Sequence, residues 1–87
     1  MKLTETDRTY LKSIGYREKD MQQIEVATSL TRYEYQGNLI CDEKAMELLG
    51  REAYLSGIGR SAFHWTATRE TKDGDMIMFN SEALFRR

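Results

Sequence analysis

The apolar residues of this 87-residue chain change their spacing three times, and each change follows a pair of elements of one kind. Helical spacing, every third or fourth residue, runs through Tyr10, Leu11, Ile14, Met21 and Ile24. β-forming residues then dominate from Thr31 to Cys41, helical spacing returns from Ala45 to Thr66, and a shorter period takes over from Thr68 to Phe79. The implied order is two helices, a hairpin, two helices and a hairpin. Strands grouped in hairpins argue for an α+β fold and against a parallel βαβ sheet, in which strands and helices alternate singly. At 10.2 kDa the chain has room for one domain over residues 1–87, and with no proline, repeat or low-complexity stretch it offers no linker.

Local chemistry places the boundaries. Thr4 suits a helix N-cap, with Asp7 at the third helical position to imitate a capping box, so a first helix is expected over residues 5–14 up to Gly15. Arg17-Glu18-Lys19-Asp20 opens a second helix whose apolar positions are Met21, Ile24 and either Ala27 or Thr28. Thr31–Tyr35 and Leu39–Cys41 flank the turn-prone pair Gly37-Asn38 and read as a hairpin. Asp42 is the expected cap of a third helix that stops at Gly50. Tyr54, Leu55, Ile58, Ala62, Trp65 and Thr66 then keep helical spacing through Gly57 and Gly59. Each glycine costs about 1 kcal/mol against alanine inside a helix, so either the helix breaks there or another element packs closely on it. Thr68–Thr71 and Met76–Phe79 around Lys72-Asp73-Gly74-Asp75 make a second hairpin, and Ser81 is placed to cap a last helical turn ending in Leu84 and Phe85. The expected core is Leu11, Ile14, Ile24, Leu48, Leu55, Ile58, Ala62 and Trp65.

Charge and cysteine usage exclude several classes. Thirteen basic against fourteen acidic residues give a net charge of −1, far from the balance of a chain that neutralises many phosphates. One cysteine, Cys41, excludes an internal disulfide, and one histidine leaves no cluster for a structural zinc site, so neither metal nor cofactor is expected. No apolar run approaches the roughly 20 residues of a membrane helix, and the first residues lack the apolar centre of a signal peptide. A cytoplasmic protein is expected.

The residues with chemical potential are few. Gly57-Ile58-Gly59-Arg60-Ser61-Ala62 has the spacing of a dinucleotide fingerprint, but that motif needs a strand feeding its glycine turn, and here a helix precedes it. Ser61 and His64 share a helical face, yet no orienting acid or oxyanion site accompanies them, and Asp73 and Asp75 read as turn residues. No catalytic residue is expected, and the chain reads as a non-enzyme. Residues 45–50 followed by 58–65 have the outline of a helix-turn-helix, with Arg60, Ser61, His64, Thr68, Arg69 and Lys72 as DNA-facing candidates and the second hairpin as a wing. Two features weigh against it: eight residues separate Gly50 from Gly59, and the wing tip carries Asp73 and Asp75. Nine aromatic residues are plentiful for a small core. Tyr33 and Tyr35 share one strand face that is either core or a binding patch, and with Arg60, His64 and Arg69 they are the candidates for contact with a protein partner.

Leu48-Leu49-Gly50-Arg51-Glu52, Leu55-Ser56-Gly57 and Arg60-Ser61-Ala62-Phe63-His64, with an echo at Ser13-Ile14-Gly15-Tyr16, resemble a segment of short uncharacterised proteins carried by bacterial phages and integrative mobile elements. The resemblance covers chiefly residues 45–71. It implies a small accessory protein that works by stoichiometric binding to a host or phage protein, including inhibition of host defence in the manner of anti-CRISPR proteins, and it brings no catalytic or binding residues with it. The alternative is a small winged helix-turn-helix-like regulator of DNA.

Overall fold

A computed structural model describes residues 1–83 of the chain as an α+β domain. Helix α1 is Glu5–Ser13, opened by the expected capping box: the Asp7 N–H donates to Thr4 Oγ1 at 3.1 Å and the Thr4 N–H donates to Asp7 Oδ2 at 2.9 Å. Gly15, at φ +111°, ends it. A 3₁₀ turn over Glu18–Asp20 leads into α2, Met21–Thr28, which buries Met21, Ile24, Ala27 and Thr28. Strands β1 (Thr31–Tyr35) and β2 (Asn38–Ile40) form the first hairpin. Gln36 and Gly37 both have positive φ, 52° and 81°, as a type I′ turn requires. The turn therefore lies one residue earlier than Gly37-Asn38, and Asn38 opens the strand.

Helix α3 is Asp42–Leu49, capped by Cys41 rather than Asp42: the Cys41 Sγ accepts from the Lys44 N–H at 3.4 Å. A single residue, Gly50 at φ +87°, joins it to α4, Arg51–His64. Strands β3 (Thr66–Glu70) and β4 (Met76–Ser81) follow. The sheet runs β2-β1-β4-β3, antiparallel throughout, so the two hairpins meet along β1 and β4. The register of that seam pairs Thr31 with Ser81 and Tyr35 with Ile77.

α4 is the hub, touching the other three α-helices as well as β3 and β4. It passes unbroken through both glycines because aromatic rings occupy the space a side chain would need. A Cβ on Gly57 would lie 2.4 Å from Cζ of Phe79, and one on Gly59 would lie 2.8 Å from the Tyr16 ring. The Phe79 ring packs edge-on against Tyr33, and Tyr54 completes the trio, its hydroxyl 2.8 Å from that of Tyr33. Burial pushes both phenols up, far out of the physiological range for Tyr33, so the pair stays neutral and shares one proton donor with one acceptor. A second polar contact ties the helices together. Arg51, at the start of α4, grips the buried Asp7 carboxylate with two bonds of 2.7 Å and holds its pKa at about 2.

Three expected core residues lie elsewhere. Ile14 is exposed at the end of α1, and Leu48 is half-buried beside Ala45 and Leu49, which take the inward face of α3. Trp65 is exposed because α4 stops at His64: Trp65 takes φ +73° and turns the chain into β3, so the helical spacing does not carry it inward. Ser81 is a buried residue of β4 whose hydroxyl accepts from the Ala83 N–H at 3.1 Å, and the last turn expected to end in Leu84 and Phe85 lies outside the described residues. Among the described residues no helix is long and apolar enough to cross a membrane.

Candidate functional site

Side chains alternate across a strand, and the helices take one set: Tyr33, Ala67, Ile77 and Phe79 are buried beneath them. The other set stays in solvent. One row crosses all four strands, with Leu39 opposite Glu34, Glu34 opposite Met78 and Met78 opposite Thr68. Arg32, Asn80 and Thr66 line up on one side of it, and Met76 and Glu70 on the other. All of these are exposed, and the apolar ones heavily: Leu39 to 69%, Met76 to 51% and Met78 to 42%. Three large apolar residues on one rigid face bury little within the fold. Such a patch is the ordinary mark of a contact surface, and methionine, flexible and polarizable, adapts readily to a partner.

The edges of this sheet are guarded. The Ser81 N–H donates to the Trp65 carbonyl at 2.8 Å and the Thr71 N–H to the Asp75 carbonyl at 2.7 Å, so the odd-numbered residues of β3 face β4. Thr66, Thr68 and Glu70 therefore turn their backbone groups outward. Arg69 Nη1 covers the Thr68 carbonyl at 2.6 Å, while Nε and Nη2 of the same guanidinium bind Ser56 Oγ and the Ser56 carbonyl at 2.6 and 3.2 Å. Edge strands are blunted in this way against stray pairing. The opposite edge, β2, is only three residues long.

The sequence candidates scatter. Tyr33 is 3% exposed and cannot reach a partner while the domain is folded. Tyr35 is half-buried on the same side of its strand and donates to Asp75 Oδ2 at 3.1 Å, a bond that raises its phenol pKa. Arg69 is spent on Ser56 and the strand edge. Ser61 is fully buried and donates to the Ile58 carbonyl at 3.1 Å, so it faces neither DNA nor His64 chemistry. Arg60 and His64 are exposed on the last turn of α4, where His64 joins Tyr16, Asp20 and Phe63 around a surface hollow of about 180 Å³. Lys72 lies at the far end of β3 from them, in the turn before β4. The helix-turn-helix outline is not built as drawn: no turn precedes residue 58, and Arg60 lies in the last turns of the single helix α4, which Gly50 alone joins to α3. Thr68 alone of the candidates sits on the uncovered face. Leu39, Met76 and Met78 escaped sequence reasoning, although Met76-Ile77-Met78-Phe79, apolar at every position, signalled a strand with something greasy on both sides.

Among the described residues no three His, Cys, Asp or Glu side chains are grouped to hold a metal ion. No family model matches the chain, and no match was found among curated proteins or solved structures.

Proposed function

We propose that the chain acts by stoichiometric binding to another protein and that the uncovered face of the sheet is the contact surface. The observation that carries this reading is the row of exposed Leu39 and Met78 with Met76 beside it, on a sheet whose opposite face is covered by the helices. The enrichment of methionine at interface centres fits that surface. The setting implied by the resemblance, a mobile-element protein that inhibits a host defence complex, demands binding alone and no chemistry. DNA binding draws on less: residues 58–64 are the end of the long helix α4 rather than a helix of their own, and Ser61 is buried.

The test uses two baits against lysates of bacterial hosts, the parent chain and a Leu39→Ser, Met78→Ser variant with an unchanged thermal midpoint. A partner recovered at one-to-one stoichiometry by the parent and lost by the variant is the expected result. A partner kept equally by both would move the function off this face, and a monodisperse parent that recovers none across several hosts would count against protein binding altogether.

A further inference from the structure

We infer, resting on the protein-binding reading of this face, that its partner is a cationic amphipathic protein segment, with apolar residues set between two Lys or Arg side chains. Every exposed apolar residue of the face has a glutamate as its cross-strand neighbour. Glu34 stands between Leu39 and Met78, and Glu70 stands opposite Met76. Anything that covers the apolar side chains must also strip water from these two carboxylates, and a buried carboxylate without a counter-charge is among the most expensive things an interface can contain.

The face offers little compensation of its own. Among the described residues Arg32 is its single base, and Glu82 Oε2 already lies 4.0 Å from that guanidinium. In the adjoining turn Lys72 is offset by Asp73. With Glu34, Glu70 and Glu82 against Arg32, the described residues of the face are net acidic. A second copy of this chain would bring the same glutamates and be repelled, and a phosphate backbone or an anionic lipid surface would be repelled for the same reason.

Geometry adds a spacing. Glu34 and Glu70 lie two strands apart and two residues apart along the strands, which puts them on the order of 12 Å from each other. Residues i and i+7 of a helix are roughly 10.5 Å apart, so a helical segment crossing the strands obliquely can set a cation over each glutamate and its apolar i+3 and i+4 residues between Met76 and Met78.

The probe is a 15-residue helical peptide, on the order of four turns, with Lys at i and i+7 and Leu between them. Its twin carries Glu in place of Lys. Amide shifts of labelled protein are followed during titration with each. The cationic peptide is expected to shift residues of the uncovered face, to weaken as salt rises, and to lose affinity tenfold or more against a Glu34→Gln, Glu70→Gln variant. Equal binding by the acidic twin, or indifference to the double variant, would overturn the cationic partner while leaving the face a docking surface. Shifts confined to other parts of the molecule, or none with either peptide at millimolar concentration, would overturn the inference and count against the face itself. Sedimentation completes the test. A monomer is expected, and a dimer that dissociates on Met78→Ser substitution would assign the face to a second copy instead.

Discussion

Met76, Ile77, Met78 and Phe79 are consecutive, and the sheet sends them to opposite environments: Ile77 and Phe79 reach zero exposure beneath the helices, whereas Met76 and Met78 stay about half in solvent. Within β4 all four residues are apolar, so this stretch by itself does not decide which side becomes the core; shape and the neighbouring strands do. The covered side meets α4 at Gly57, where the missing side chain leaves a recess that the Phe79 ring fills. The other side meets nothing within the described fold, and its apolar residues alternate with glutamates and threonines that no core would admit. A core face is thus recognised by what fits into it, and an uncovered face by the polar neighbours set among its apolar side chains.

The contrast can be broken most forcefully at Phe79. Phe79→Ala should cost about 3 to 5 kcal/mol, a large share of the roughly 4 to 13 kcal/mol expected for a domain of this size, and chemical denaturation would read it directly. Gly57→Ala should cost about 1 to 3 kcal/mol through overpacking, the reverse of the usual gain of about 1 kcal/mol when alanine replaces glycine in a helix. Combining the two sharpens the point. With Phe79 already truncated, Gly57→Ala should become neutral or stabilising, and a double-mutant cycle that shows simple additivity would refute the contact.

The helical layer over the covered face has its own fastening in Asp7 and Arg51. The Asp7 pKa is lowered from 3.8 to about 2, chiefly by Arg51 and further by the Thr4 cap against the cost of burial, so the ionised carboxylate in this setting contributes about 2 kcal/mol that is fully present above pH 4 to 5 and disappears as pH falls through about 2. Asp7→Asn should lose about that much at pH 7 and flatten the acid limb of stability against pH; an unchanged limb would show that other carboxylates govern it. The smallest effect belongs to the uncovered face. Met78→Ser should change stability by no more than about 0.5 kcal/mol, and a loss of several kcal/mol would mean that this face is packed after all.

Much of this was legible in the residues. Thr4 and Asp7 announced the capping box, Gly15 and Gly50 the ends of two helices, and the change of period the two hairpins, because each of these signals is local. What escaped depended on contacts distant in sequence. Whether α4 would survive Gly57 and Gly59 was settled by Phe79 and Tyr16, each far from it along the chain. Trp65 continued the helical spacing, yet it adopts the left-handed backbone usually left to glycine, and no sequence pattern announces such an exception. Cys41 took the cap from Asp42 because the helix began one residue earlier than the stronger capping residue suggested. For the candidate site the limit was similar. The shared face of Tyr33 and Tyr35 read as either core or a binding patch, and the fold makes it core: Tyr33 is buried and Tyr35 half-buried on the covered side of β1.

The β1–β4 pairing also sets an order in time. Each hairpin closes a short loop and can form on its own, but the seam between β1 and β4 joins residues roughly forty to fifty positions apart, with α3 and α4 in the intervening stretch. Until it closes, β1 and β4 are each the bare rim of a two-stranded ribbon, with neither the guanidinium that shields β3 nor the brevity that protects β2. The interval of greatest danger for this chain therefore falls before the sheet is joined, and the rims at risk are the two strands that later lie at its centre.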